Sequence, residues 1–207
     1  MGLYSELDAV NTLLAAVGET PMASLDLEDE TTLVLIAQLN KTSREVQTLG
    51  WSFNYEEGVS FAPDIDGYIN LPNTLLQISS PFNSLMLVQR GNKLYSKKLH
   101  SFKISASVII NVTYLLPWED LPSHAQNAIL SKSCAEYSLN NIGSEFQLKA
   151  LQTLASQSWA DFNNVENKND PILFLDPSHN PSAAAMLYRG RRSGVFPSAN
   201  SNILYRG

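Results

Sequence analysis

The spacing of apolar residues changes twice along this chain, at Gly50 and again at Pro117. Before Gly50 they recur every three or four residues, which is typical of amphipathic helices. Between the two positions they form short β-prone runs separated by turn residues, which indicates an antiparallel sheet. After Pro117 the helical spacing returns. This order predicts an α+β fold in which an N-terminal and a C-terminal helix pair form one helical bundle, with an antiparallel β region inserted between them.

Two helices are predicted before the β region. Ser5 and Asp8 have the spacing of a capping box, and the helix that they begin ends at Gly18. The second helix begins at Asp29 or Thr31 and ends at Gly50, a residue suited to a left-handed cap. Its apolar side is predicted to consist of Leu33, Ile36, Leu39, Val46 and Leu49.

Two further helices are predicted after the β region. The third begins at Pro122 and ends near Gly143, and a capping box formed by Ser144 and Gln147 begins the fourth. The stripe of the third helix is Ala125, Ala128, Ile129, Ala135, Leu139 and Ile142. The stripe of the fourth is Leu148, Leu151, Leu154, Ala155, Trp159 and Phe162. The small side chains of the third helix predict close packing against its neighbours.

Seven strands are predicted in the β region, at 51–55, 59–62, 68–71, 75–79, 85–88, 93–95 and 108–116. The run from Val108 to Tyr114 is the most β-prone stretch of the chain. We therefore expect it to be a central strand.

A compositional boundary falls near Asn169 to Pro171. Residues 171–207 hold four arginines and one acid, a net charge of +3, whereas the whole chain carries −6, so residues 1–170 carry −9. The same 37 residues hold four of the ten prolines and no lysine or glutamate. We predict three parts: a helical bundle domain at 1–50 and 118–170, an antiparallel β region at 51–117, and an extended C-terminal arm at 171–207.

The charge content is low, because Asp, Glu, Lys and Arg make up 16% of the residues where about 25% is usual. Fewer charges mean fewer ions to desolvate when surface is buried between subunits. No apolar run reaches the roughly 18 residues of a membrane span, and the first residues lack a secretory signal. A soluble protein without membrane contact is expected. The single Cys134 and three separated histidines predict no disulfide framework, metal site or cofactor.

Few residues favour an enzyme. No Gly-x-Ser-x-Gly motif occurs, His124 is expected to face solvent, and Cys134 is expected to be a small buried hydrophobe. Glu56, Glu57 and Asp64 could serve a cell-wall or polysaccharide hydrolase. However, adjacent strand residues point to opposite faces, so Glu56 and Glu57 converge only if a turn rotates one of them. Asp64 opens an Asp-Ile-Asp-Gly run that is typical of a turn.

The arm contains the one internal repeat, Leu-Tyr-Arg-Gly at 187–190 and again at 204–207. Tyr, Phe and Arg dominate binding at protein interfaces, which predicts that the arm lies in grooves of another subunit or partner. The candidate interface residues are Phe174, Leu187, Tyr188, Arg189, Arg191, Arg192, Phe196, Tyr205 and Arg206. A disordered basic tail and a DNA-binding tail are the alternatives, and the net acidic chain disfavours DNA binding as the main role.

Several short segments occur in a particular order between residues 7 and 165. They are LDAVNxLLA at 7–15, VGExP at 17–21, Leu39-Asn40 with Gln47, GWxFNxEEG at 50–58, RGxKLY at 90–95 and EDLP at 119–122. Together they resemble the tail tubular protein A family of short-tailed phages (podoviruses), the adaptor or gatekeeper of the head-tail connector. Residues from 171 onward match this family less well.

The resemblance implies a structural virion protein without catalytic activity. Its subunits would form a twelvefold homo-oligomeric ring that joins the portal protein to the nozzle, tail tubular protein B. DNA would pass non-specifically through the central channel during ejection, and tail fibres are a further candidate partner. The protein would belong to the virion tail and would reside in the host cytoplasm during assembly. The family fold, a helical domain with a β region and a C-terminal extension embracing neighbours, agrees with the order of elements above.

Overall fold

The computed structural model describes residues 4–80, 85–141 and 145–169. They contain four α-helices, five strands and a 3-10 turn at Trp118–Asp120, so the predicted α+β class is confirmed. The helices are α1 (Glu6–Val17), α2 (Glu30–Gln47), α3 (Ser123–Asn141) and α4 (Glu145–Asn169). The strands are β1 (Tyr55–Phe61), β2 (Leu75–Ser79), β3 (Leu87–Arg90), β4 (Lys93–Ser96) and β5 (Val108–Tyr114).

Helix α1 has the predicted ends. The Asp8 backbone N–H donates to Ser5 Oγ (3.1 Å), and the Ser5 backbone N–H donates to Asp8 Oδ2 (3.1 Å), which completes the capping box. The Ser5 hydroxyl also donates to Asp8 Oδ2 (2.6 Å), and this bond, followed by the one from the Ser5 N–H, stabilises the ionised carboxylate and lowers the pKa of Asp8. Gly18 caps the other end in the left-handed region with φ 83°.

Helix α2 differs from the prediction in its end and in its buried face. It ends at Gln47 instead of Gly50, and Leu33 and Leu49 are about half exposed instead of buried. Its buried residues are Thr32, Leu35, Leu39, Thr42, Ser43, Val46 and Gln47. Apolar spacing could not find this face because the buried polar side chains are satisfied by hydrogen bonds, as when Thr42 Oγ1 donates to the Gln38 carbonyl (3.1 Å).

The sheet has β5 in the middle, paired antiparallel with β1 on one side and β2 on the other, so the predicted central strand is confirmed. Strands β3 and β4 form a separate hairpin. Two predicted strands are wrong. Residues 51–54 form a turn, in which the Tyr55 N–H donates to the Trp51 carbonyl, and residues 68–71 make only isolated bridges although Ile69 is fully buried.

The stripe predicted for α3 is buried at Ala125, Ala128 and Ile129, but Leu139 is 55% exposed. The stripe of α4 is buried at Phe162, whereas Leu154 is 54% exposed. These two residues lie at the end of α3 and in the first half of α4, and in the described structure α3 is the main helical neighbour of α4. Ile142, Gly143 and the capping residue Ser144 lie outside the described residues.

The described residues pack around two hydrophobic cores. One combines residues of all four helices, including Leu13, Leu39, Ile129 and Phe162. The other is made by the β region and consists of Ile69, Leu71, Leu75, Leu87, Leu94, Ile104, Val108, Ile110 and Val112. The chain leaves the helical core after α2 and returns to it before α3, so the two crossings determine how the cores are joined.

Candidate assembly interface

The two crossings between the cores are fastened by a buried asparagine. Asn54 Nδ2 donates to the Gln47 carbonyl (2.9 Å) and to the Tyr114 carbonyl (2.7 Å), while the Trp51 N–H donates to Asn54 Oδ1 (2.8 Å). Asn54 is 3% exposed. One side chain therefore connects the end of α2, the turn at 51–54 and the end of β5.

A buried glutamine makes a second set of bonds across the same junction. Gln47 Nε2 donates to Ser43 Oγ (2.9 Å) and to the Leu116 carbonyl (3.1 Å), and the Leu116 N–H donates to Gln47 Oε1 (2.8 Å). We call Gln47 and Asn54 with these bonds the junction clamp. Because buried polar groups are costly when unpaired, the clamp favours one arrangement of the two cores.

The end of α4 is held to this junction by aromatic rings and a buried carboxylate. The Phe162 ring lies 4.5 Å from Trp51 and 5.6 Å from His124, measured between centroids. Glu166 is 4% exposed; its Oε1 lies 2.6 Å from His124 Nε2, and its Oε2 accepts from the Ser52 N–H (2.9 Å). The last turns of α4, directly before the predicted arm, are therefore fixed to the body.

The prediction that His124 faces solvent is wrong. Its side chain is 22% exposed, stacks on Phe162 and contacts the Glu166 carboxylate. A histidine in a first turn is commonly solvated, but here α4 returns to cover it. Sequence pattern could not find this pairing, since the two residues are 42 positions apart.

The Glu56 and Glu57 pair lies on β1, an edge strand, and both side chains are exposed. The pairing register with β5 shifts between Glu56 and Val59, and Gly58 has φ 70°. A bulge with charged side chains on an edge strand discourages pairing with another sheet edge. This arrangement gives the two glutamates a structural explanation and lends the hydrolase hypothesis no support.

Asp64 is used to form a turn, as predicted. Its Oδ1 accepts from the N–H groups of Asp66 (3.1 Å) and Tyr68 (2.8 Å), and its Oδ2 accepts from Asn70 Nδ2 (3.0 Å). The backbone bond from Tyr68 is the main reason that the pKa of Asp64 is lowered. A carboxylate held ionised in this way is a poor proton donor for glycoside hydrolysis.

Cys134 is buried, as predicted, and burial raises the pKa of its thiol to about 11. A thiol that stays protonated at neutral pH is a weak nucleophile and a weak metal ligand. In the three described ranges, no three His, Cys, Asp or Glu side chains gather where they could hold a metal ion. Across those same ranges, none of the helices is both long and apolar enough to span a bilayer.

The RGxKLY segment forms the β3–β4 hairpin. Gly91 adopts φ 62° in its turn, and the Arg90 guanidinium lies 3.6 Å from the centre of the Tyr95 ring. The cation-π contact orders the hairpin on its exposed side. This segment is therefore explained by local folding.

Two apolar surfaces of the described helices are left open. On α2, Leu33 and Val34 are 48% and 50% exposed, and Leu27, just before the helix, is 67% exposed. On α4, Phe146 is 85% exposed. Exposed apolar surface at helical spacing is a feature of proteins that are covered by partners.

All nine candidate interface residues of the arm, from Phe174 to Arg206, lie outside the described residues. The residues that join the body, Gln47 and Glu166, were not singled out from the sequence as buried polar groups. Gln47 and Asn54 nevertheless carry a sequence signal, because both belong to the short segments between residues 39 and 58 that resemble the tail tubular protein A family. Nothing local marks Glu166.

The family model described as "Tail tubular protein" matches residues 7–172. The "Tail tubular protein A" of Klebsiella phage KP34 is 28% identical over 141 residues, which cover 68% of this chain and 75% of that protein. The family match covers all described helices and strands except Glu6, the first residue of α1, and it includes the junction clamp. The chain belongs to the tail tubular protein family and is a structural component of a phage tail.

Proposed function

We propose that this chain is the subunit of an adaptor ring in a short-tailed phage. Twelve copies join the portal protein to the nozzle, tail tubular protein B, and line the channel through which DNA passes. The ring acts mechanically and has no catalytic site. It belongs to the virion tail and is built in the host cytoplasm, and tail fibres are candidate partners on its outer side.

The observation that carries this proposal is the junction clamp. An adaptor must keep two binding surfaces in a fixed relation, and here the helical and β cores are connected by the buried hydrogen bonds of Gln47 and Asn54. The matched relative, a tail tubular protein A, supports the same role. The acidic body also suits a channel wall, because a surface that bound phosphates tightly would slow the DNA.

Co-sedimentation with purified portal rings tests the proposal. The full chain is mixed with portal rings at physiological salt, and we expect it to sediment with them. A chain that remains in the supernatant at every concentration would contradict the adaptor role. A monomer in the absence of portal is compatible with the proposal, because docking can be what orders the arm.

The arm is tested by truncation after Asp170. The body contains both described cores, so the truncated protein should keep its circular dichroism spectrum and its cooperative unfolding. It should nevertheless lose stable assembly on the portal, because the arm supplies the aromatic and arginine contacts between subunits. Full assembly of the truncated protein would show that the arm is dispensable.

The hydrolase alternative has its own assay. It predicts release of soluble fragments from cell wall or capsular polysaccharide, abolished by Glu57→Gln or Asp64→Asn. We expect no release from the parent chain. Release of fragments by the parent chain that disappears in either variant would establish that the protein is a hydrolase.

A further inference from the structure

The outer side of α2 carries an apolar strip. Leu33 and Val34 lie one helical turn after Glu30, and Leu27 precedes the helix; all three apolar side chains are about half exposed or more. The opposite side of α2 is buried against α1 and α3. Leu27, Glu28, Glu30, Leu33 and Val34 are called here the α2 face.

The α2 face lies within the most acidic part of the chain. Residues 1–40 contain seven acids and no lysine or arginine, so they carry seven of the nine net negative charges of residues 1–170. Glu28 and Glu30 are exposed, and within the described residues neither forms an ion pair. The nearest cation along α2, Lys41, is already paired with Glu136 at 3.1 Å. The face therefore lacks a positive partner.

The arm has the complementary chemistry. Residues 187–192 read Leu-Tyr-Arg-Gly-Arg-Arg, which combines two apolar anchors with three positive charges and no acid. From the end of α4 at Asn169, the 17 intervening residues (170–186) can span at most about 60 Å. That reach exceeds the roughly 40 Å width of a 170-residue body, so the segment can extend to a neighbouring copy.

We propose that the α2 face is the docking surface for residues 187–192 of the adjacent subunit. Leu187 and Tyr188 cover Leu33 and Val34, while Arg189 and Arg191 meet Glu28 and Glu30. This inference rests on the ring of the proposed function and specifies one of its contacts. Apolar anchors surrounded by complementary charge are the usual construction of a specific interface.

Charge reversal on the two sides provides the test. The face variant is Glu28→Lys/Glu30→Lys, the arm variant is Arg189→Glu/Arg191→Glu, and the swap variant combines all four changes in one full-length chain. The matched control is Glu145→Lys/Asp161→Lys, which makes the same charge change at exposed positions of α4. Melting temperatures of all variants establish that each is folded before portal-bound rings are counted by electron microscopy.

The face variant and the arm variant should each lower ring occupancy by about tenfold, because like charges then oppose each other at the contact. The swap variant and an equimolar mixture of face and arm variants should both restore rings. In the mixture, each basic arm meets an acidic face and each acidic arm meets a basic face, in alternation around an even-numbered ring. Rescue by the swap variant without rescue by the mixture would place the arm on its own subunit and overturn the proposal.

If the face variant forms rings as well as the control does, the arm docks elsewhere and this inference is wrong, while the adaptor role stands. If the face variant fails but neither the swap variant nor the mixture restores rings, the α2 face binds another partner, such as the portal, and the inference is again wrong. If a face variant is unfolded, Leu33→Ser/Val34→Ser replaces it and should lower occupancy similarly. Failure of the parent chain to form rings would reject the adaptor proposal itself.

Discussion

The helical core and the β core are built on different principles. The β core is aliphatic, and its buried members all come from the 44 residues between Ile69 and Val112. The helical core mixes aliphatic, aromatic and small residues from both sides of that insertion. The helices also bury large polar side chains such as Gln126 and Glu166, whereas the buried polar side chains of the described strands are the small Ser96 and Thr113. The β region can thus form from nearby segments, whereas the helical core is complete only after α4 has returned.

This difference places the specific contacts where the chain crosses between the cores. Apolar packing is tolerant of shape and leaves the relation of two cores loosely defined, while buried hydrogen bonds allow few arrangements. The clamp residues and Glu166 all lie at the crossing, next to the 51–54 turn. The body therefore consists of two cores that a small number of buried polar bonds hold together.

The largest expected effect comes from removing the ring that closes the helical core. Phe162→Ala should lower the free energy of unfolding by about 3–5 kcal/mol, because a fully buried aromatic side chain is replaced by a cavity. Urea denaturation followed by tryptophan fluorescence measures it. Phe146→Ala, the same change on the exposed part of α4, is the control and should shift stability by less than about 0.5 kcal/mol.

Hydrogen exchange shows whether that loss reaches the β core. With the clamp intact, β5 amides should lose protection in Phe162→Ala by as much as the α3 amides do. Unchanged protection in β5 would mean that the two cores unfold independently.

The second effect concerns the clamp itself. Asn54→Ala removes a partner of the Tyr114 carbonyl and of the Trp51 N–H, whereas the Gln47 carbonyl keeps its bond from the Gly50 N–H (3.1 Å), so we expect a loss of about 2–3 kcal/mol in total. The protection of β5 and α3 should then differ, since the bonds that couple the cores are gone. Asn40→Ala, at an exposed position of α2, is the matched control and should leave both unchanged. Equal protection in Asn54→Ala would contradict the role of the clamp.

The sequence was informative about local structure and less so about these contacts. The cap of α1, the central position of β5 and the burial of Cys134 follow from short patterns, and each prediction is confirmed. The predicted buried face of α2 is wrong because a count of apolar residues at helical spacing overlooks buried polar residues whose hydrogen bonds are satisfied. The predicted solvent exposure of His124 is wrong because α4, which lies far along the chain, covers its side chain. The interface residues of the arm stay a prediction.

The smallest expected effect is a pH dependence of stability that comes from the Cys134 thiol, which is buried in the helical core. The pKa of Cys134 is raised to about 11, so the folded state keeps a proton that the unfolded chain begins to lose near pH 8.5. Its contribution to stability is complete below that pH and declines as the pH rises toward 11, by about 1–3 kcal/mol. Denaturation at pH 7 and pH 10.5 measures the decline, which should be smaller in Cys134→Ala. An identical pH dependence in both proteins would show that the thiol is not desolvated.

The central claim is that the body and arm together form a ring between portal and nozzle. Electron microscopy of the full chain mixed first with portal rings and then with tail tubular protein B tests it most directly. We expect a layer of subunits on the portal, followed by the nozzle on the far side of that layer. A nozzle that attaches to portal rings without this layer, or a portal that stays bare, would contradict it.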